Sequence, residues 1–259
     1  MIQAIFFDID GTLVSFNTHR MPESTIQALG ELKQRGIKIF VATGRAPASI
    51  TNLDNIEFDG YITMNGGCCS VENEIIYKNP IPKNNVEALI NFVENTVSFP
   101  CFFTDGNEPF CNFSNAVSDK VFESLKFPPP NIKPIRKALE KDIYQISAFF
   151  DKQDEEKILA LLPDCKTVSW SPYFSDIIPK KGDKQVGIDK ILAHFNIPLE
   201  ATMAFGDGGN DISMLRHVKI GVAMGNSDEQ VKQAADFITA SVEDDGVWKA
   251  LKHFNLLMI

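Results

Sequence analysis

An α/β fold is predicted, and three observations predict it. Four short apolar runs, Ala4 to Phe7, Ile37 to Ala42, Tyr61 to Thr63 and Ala201 to Phe205, each stop at a cluster of Asp, Asn, Gly or Thr. Continuous apolar runs of this length suit strands buried on both faces of a parallel sheet. Amphipathic helices alternate with them over short links, which implies right-handed crossovers. The middle of the chain breaks this rhythm, with helices lying between pairs of strands. The reading is a Rossmann-like parallel-sheet core, residues 1–82 and 180–259, carrying an inserted α+β domain at 83–179.

The first strand, Ala4 to Phe7, leads into Asp8. A helix runs from Pro22 to Arg35, with Ile26, Leu29 and Leu32 on one face, Pro22 in the first turn and Gly36 at the C-cap. Ile37 to Ala42 then ends in Thr43-Gly44-Arg45, and Tyr61 to Thr63 ends near Asn65-Gly66-Gly67. Pro80 and Pro82 mark the first junction, and Pro179 to Gly182 the second. Between them the pattern predicts helices at Asn84 to Val97, Val117 to Phe127 and Asp154 to Leu162. It predicts strands at Cys101 to Thr104 and Tyr144 to Phe150, and a hairpin of Thr167 to Trp170 with Phe174 to Ile178. After the second junction come a helix from Asp183 to Phe195, the strand Ala201 to Phe205, a short helix from Asp211 to Arg216 and a strand at Ile220 to Ala223. A last helix is expected from Ser227 to Ala235, with Ser227 as N-cap and Gln230 completing a capping box.

Composition narrows the function classes. The chain has 259 residues, 44% hydrophobic and 23% charged, which suits a globular protein. Its formal charge of −9 argues against a nucleic-acid binder, because cationic neutralisation of phosphate dominates duplex binding. A small anionic ligand is still admissible at a local site. The N-terminal apolar run is too short for a signal peptide, and no stretch reaches membrane-spanning length, so no membrane partner is expected. Five cysteines, with no CxxC pair, read as reduced thiols of a cytoplasmic protein.

Four segments carry candidate chemistry. Asp8-Ile9-Asp10-Gly11-Thr12 follows a buried strand, and ligands of open α/β sheets bind beyond the carboxyl ends of strands. Two carboxylates two residues apart repel one another unless something compensates them. A hard cation such as Mg²⁺ does so with oxygen ligands, although a plain acidic turn has the same residues. Gly206-Asp207-Gly208-Gly209-Asn210-Asp211 adds two carboxylates at a second strand end. Asn210 or Asp211 there could equally serve as a helix cap. Thr43-Gly44 offers a hydroxyl and an accessible backbone N–H for a phosphoryl oxygen, or forms a simple turn. Lys184 stands at a helix start, where the helix dipole disfavours a cation. It is either solvated surface or the partner of a phosphate or carboxylate.

In their order, and in falling at predicted strand ends or a helix start, these segments resemble the four motifs of the haloacid dehalogenase-like superfamily. The insertion at 83–179, the run from Pro179 to Lys184 and Asn65-Gly66 resemble its Cof-type phosphatases with an inserted cap. Gly67-Cys68 departs from the alanine more often found after Asn-Gly. The resemblance implies Mg²⁺-dependent transfer of a phosphoryl group through an aspartyl-phosphate. Asp8 would be nucleophile and Asp10 general acid and base. The Asp8 side chain, the Asp10 carbonyl and Asp207 would hold the metal. Thr43, Gly44, Lys184 and Asn210 would bind or support the phosphoryl group. Asp211 would support the site, and Arg45 and Asn65 would read the leaving group or meet the cap. The implied substrate is a small phosphorylated metabolite such as a sugar phosphate, acted on by a monomer or weak dimer. A phosphomutase on the same scaffold, a receiver-like signalling domain and a phospho-ligand sensor are the rivals. Phe110, Phe113, Tyr144, Trp170 and Tyr173 are candidates for either core or substrate platform.

Overall fold

The computed structural model describes residues 1–54, 56–125, 128–169 and 171–258. In chain order the first elements are β1 (Ala4–Phe7), α1 (Glu23–Gln34), β2 (Lys38–Ala42), β3 (Gly60–Thr63), β4 (Cys68–Val71) and β5 (Glu74–Lys78). Then follow α2 (Lys83–Asn95), β6 (Cys101–Thr104), β7 (Phe110–Cys111), α3 (Ala116–Ser124), β8 (Gln145–Ala148), α4 (Glu155–Leu161), β9 (Cys165–Val168) and β10 (Ser175–Pro179). The chain closes with α5 (Lys184–Phe195), β11 (Thr202–Gly206), α6 (Ile212–His217), β12 (Ile220–Ala223), α7 (Glu229–Lys232), β13 (Phe237–Ile238) and α8 (Gly246–His253).

Eight strands form one sheet in the order β13-β12-β11-β1-β2-β3-β4-β5. Pairing is parallel from β13 through β3 and antiparallel for β4 and β5. Both faces of β1 are covered, which is why it reads as unbroken apolar sequence. Ile5 and Phe7 face a core shared with Leu29 and Leu32 of α1 and Val247 and Leu251 of α8. Ala4 and Phe6 face a second core with Ile188 and Ile191 of α5 and Met214 and Leu215 of α6. The β4–β5 hairpin lies outside the predicted elements. Its turn residues, Glu72 and Asn73, have φ of 49° and 65°, the pair of positive values a two-residue type I′ turn needs.

The remaining five strands form an antiparallel sheet in the order β7-β6-β8-β10-β9. This sheet has an apolar core of its own, running in sequence from Ile81 to Ile177 and packed by α2 and α4. The expected hairpin is present as β9 paired with β10. Trp170 and Phe127, placed in predicted elements, lie outside the described residues. Phe110 is core, stacked on Phe103 with ring centroids 5.2 Å apart. Tyr144 is buried, Phe113 is partly covered, and Tyr173 is exposed.

The last predicted helix needs correction. It spans only Glu229–Lys232, its N-cap is Asp228, and no side chain caps it. Among the described residues the buried Ser227 hydroxyl has no hydrogen-bond partner, so the expected Ser227–Gln230 capping box does not form. The polar spacing there matches a capping box, but a backbone bond from Ser227 N–H to the Met224 carbonyl turns the chain one residue later.

Candidate active site

Strand ends bring the candidate residues together. Asp8 leaves the end of β1 between β11 and β2, the position where crossovers depart to opposite faces and leave a crevice. Gly11, at φ +81°, turns the chain back, and a Cβ there would collide with the Asp207 carboxylate. The first motif and the β11 loop thus pack against each other through a residue that has to be glycine.

Lys184 is fully buried at the first residue of α5. Its Nζ donates to Asp8 Oδ1 at 2.6 Å and to Asp211 Oδ1 at 2.5 Å. These carboxylates answer the objection that a cation at a helix start opposes the dipole. Asp211 Oδ2 accepts from the backbone N–H groups of Asp207 and Gly208, both at 2.9 Å. No side chain caps α6 itself. Asp211 instead reaches back to brace the loop that carries Asp207.

Asp207 accepts from the Thr12 hydroxyl at 3.0 Å and from Asn226 Nδ2 at 3.2 Å. Carboxylate oxygens of Asp8, Asp207 and Asp211 lie within 4.8 Å of one another. Burial, followed by the charge of Asp211, raises the Asp8 pKa to about 7, against the opposing pull of Lys184. Burial and the neighbouring Asp8 likewise push Asp207 well above the usual carboxylate range. Lys184 is held above its ordinary value, because Asp211 and Asp8 outweigh the desolvation that opposes its charge. Asp8 and Asp211 therefore share one ammonium, while Asp207 beside them is held by a hydroxyl and an amide. That imbalance is the observation that fits a hard divalent cation, and its donor set is all oxygen. Asp211 has both oxygens committed, so Asp8 and Asp207 are better placed to offer donors.

Asp10 stands apart from this cluster. Arg45 grips it with two parallel bonds, Nη2 to Oδ1 at 2.6 Å and Nε to Oδ2 at 2.8 Å. Arg45 Nη1 also reaches the Ser49 carbonyl and Asn52 Oδ1. Thr43 is buried and accepts from the Arg45 backbone N–H at 3.1 Å, so the turn after β2 aims the guanidinium.

Asn65 joins the two sheets. Its backbone is left-handed, φ 52°, and its side chain is buried. Nδ2 donates to Gln145 Oε1 at 3.0 Å and to Asp176 Oδ2 at 3.3 Å, both on the antiparallel sheet. Oδ1 accepts from Asn210 at 2.9 Å, so Asn210 is directed to Asn65 and not toward Lys184. Gly44 lies under the Asn65 amide, where a Cβ would come within 3.2 Å of Nδ2. A cavity of about 800 Å³ opens between the sheets, and Asp8, Asp10, Thr43, Gly44, Asp207 and Asn210 line its floor.

Sequence reasoning did not single out Asn226, Gln145, Ser147 or Asp176. Asn226 follows β12 in the same strand-end position as the other motifs, a signal that would have found it. Its amide spans Asp207 and the Gly11 carbonyl. Asp176 is the acidic residue of the strand Ser175–Pro179, a residue type seldom fully buried, so its place in a strand is a signal visible in the sequence.

A family model for haloacid dehalogenase-like hydrolases matches residues 5–251, and the chain belongs to that family. It is 34% identical over 98% of its length to a Bacillus subtilis (strain 168) protein named "Putative phosphatase YkrA", covering 98% of that chain. It is 27% identical over 98% of its length to the HMP-PP phosphatase of Yersinia pestis (strain Pestoides F), covering 96% of that chain. The solved structure of the subclass IIB sugar phosphatase BT4131 superposes with a TM-score of 0.93 at 46% identity, covering 98% of this chain and 100% of that one. The α/β fold and the resemblance drawn from the four motifs are thereby borne out. Among the described residues, no helix is long and apolar enough to cross a membrane.

Proposed function

We propose that this protein is a Mg²⁺-dependent phosphatase of small phosphorylated metabolites, working through an aspartyl-phosphate on Asp8. The observation that carries the reading is the excess of buried carboxylate over ammonium around Asp8, at the floor of a cavity sized for a small molecule. Asp8, Asp207 and the backbone carbonyl of Asp10 would hold the cation. Bound Mg²⁺ would supply neutralising charge to the phosphoryl oxygens and keep Asp8 ionised.

Lys184 holds one oxygen of Asp8, which leaves the other to attack phosphorus. As that oxygen bonds to phosphorus, the ester P–O bond breaks and the departing oxygen takes a proton from Asp10. Water then attacks the same phosphorus, gives its proton to Asp10, and phosphate leaves with Asp8 restored. Both oxygens of Asp10 accept from Arg45, so one arm of that fork has to yield when Asp10 carries the proton. Thr43 and the Gly44 N–H would hold the transferring group, as motif order implies.

We place residues 83–179 as a cap that closes on residues 1–82 and 180–259. Contacts of Asn65 with Gln145 and Asp176 support a closed arrangement. Sugar phosphates are the substrate class favoured by the motif resemblance, and the likeness to a sugar phosphatase supports it. Five free, buried cysteines support a reducing, cytoplasmic setting. The decisive experiment is phosphate release from p-nitrophenyl phosphate and a panel of metabolite phosphates across a Mg²⁺ titration. Metal-dependent release, with acid-quenched phospho-enzyme trapped on Asp8, is expected. Turnover without phospho-enzyme, or none on any ester, would overturn the reading.

A further inference from the structure

The wall of the cavity is the face of the antiparallel sheet turned away from its own core. Strand alternation sorts the side chains. Cys101, Phe103, Ile146, Ala148 and Ile177 point into the apolar core, so their neighbours Phe102, Thr104, Gln145, Ser147 and Asp176 point into the cavity. Register sets them in rows. Thr104 lies opposite Gln145, nearest the floor, and Phe102, Ser147 and Asp176 form the next row across β6, β8 and β10. Beyond them Phe149 and Phe174 pack at 5.3 Å between centroids, and Phe102 packs edge-on against Phe122 at 5.2 Å. The wall therefore combines hydroxyl and amide groups with flat apolar rings. That combination suits a polyol ring, whose hydroxyl edge and C–H face differ in just this way.

Charge then narrows the choice. Away from the floor, the charged side chains among the described lining residues are Asp176, Asp228 and Glu229. Arg45, the one cation among the described lining residues, is engaged by Asp10. Asp176 is only 1% exposed, so a charge on it would act on the cavity with less screening than a solvated carboxylate. A second anionic group on the leaving alcohol would meet this field with no described cation to receive it.

We propose that the phosphoester's leaving group is an uncharged or cationic polyol, an amino sugar above all, and that Asp176 excludes sugar acids and bisphosphates. The proposal rests on the phosphatase reading above and adds the substrate's charge. Binding energy from the ammonium or hydroxyls would be spent on the closed arrangement, and a second anion would oppose it.

The test uses the full-length protein with Mg²⁺ at constant ionic strength. kcat/KM for phosphate release is measured on glucosamine 6-phosphate, glucose 6-phosphate, 6-phosphogluconate and glucose 1,6-bisphosphate. The expected order is amino sugar, then neutral sugar, then the two anionic esters. Asp176→Asn is expected to lower the ratio of amino sugar to sugar acid by roughly tenfold or more. A merely structural role for Asp176 would lower all four rates in parallel and leave the ratio unmoved. Should Asp176→Asn fail to fold, the wild-type order decides, and Asp228→Asn with Glu229→Gln at the rim is expected to shift the ratio in the same direction. A preference for either anionic ester, or an unchanged ratio, overturns the proposal. So does silence toward all four esters while p-nitrophenyl phosphate is hydrolysed, which leaves the phosphatase reading intact. Silence toward p-nitrophenyl phosphate as well removes both.

Discussion

The floor and the wall of the cavity solve opposite problems with the same residue type. At the ends of the parallel strands, Asp8, Asp207 and Asp211 crowd together with one ammonium, which pairs with Asp8 and Asp211, and burial raises the pKa values of Asp8 and Asp207. On the antiparallel sheet, Asp176 lies in a polar row, accepting from Ser147 at 2.6 Å and from Asn65 at 3.3 Å. A floor with surplus negative charge gains when a cation and a phosphoryl group arrive together. On the wall, neutral hydroxyl and amide donors hold the carboxylate in place, and its proposed effect on a ligand is through the charge it projects. On the proposed reading, a buried excess of carboxylate over ammonium marks where the chemistry is placed, and a carboxylate held by neutral donors marks where the leaving group is read.

The sharpest way to break this comparison is at the floor. Asp8→Asn is nearly isosteric but a poor nucleophile, and phosphate release is expected to fall by roughly 10⁴-fold or more. Retained turnover would move the chemistry elsewhere. Lys184→Met is expected to remove activity as well and to cost about 3–5 kcal/mol in denaturant unfolding, since it strands two buried carboxylates without their cation. A loss under 1 kcal/mol would mean that the triad relaxes into solvent. Asp10→Asn is expected to slow turnover by roughly 10²–10⁴-fold and to let phospho-enzyme accumulate, because both proton transfers suffer.

Metal and pH sharpen the same contrast at intermediate size. In the metal-free protein Asp8 titrates at about 7 instead of 3.8, and Asp207 is raised too. Raised folded-state values mean that the folded protein binds more protons than the unfolded one over this range. Stability contributed by the protonated groups is therefore complete at low pH and lost as pH rises through about 7. Mg²⁺ requires the ionised carboxylates, so its thermal stabilisation is expected to be larger near pH 8 than near pH 6. Asp207→Ala is expected to raise the Mg²⁺ concentration needed for half-maximal activity. A Tm increment independent of pH, or a metal titration unchanged by Asp207→Ala, would contradict the metal role of the floor.

The smallest effect is expected where floor and wall meet. Asn65→Gly keeps a backbone able to hold φ 52° and removes the side-chain bonds to Gln145, Asp176 and Asn210. It is expected to cost about 1–3 kcal/mol and to raise KM more than it lowers kcat. Equal losses in both parameters would place Asn65 in the chemistry.

The parallel strands and the polar turns at their ends were legible in the sequence for a physical reason. A strand covered on both faces reads as an apolar run, and it ends where polar residues become tolerable, so Asp8, Thr43 and Asp207 announce themselves by position. β4 and β5 were not legible, because β5 is an edge strand whose residues are partly or fully exposed, and its turn, Glu72-Asn73, lacks the usual glycine. The Ser227 capping box failed because a local motif competes with backbone bonds that the surrounding fold decides.

Sequence alone determined the order of the motifs, the α/β class and the residue types at each strand end, since these follow from burial periodicity and local turn chemistry. Only the tertiary structure decided who pairs with whom. Arg45 grips Asp10, Asn210 turns to Asn65, and Asp176 reaches the cavity from a strand more than 160 residues beyond the first motif. Those pairings depend on the relative placement of two sheets, and side-chain charge and hydrogen-bonding capacity carry no record of distance until the chain has closed around them.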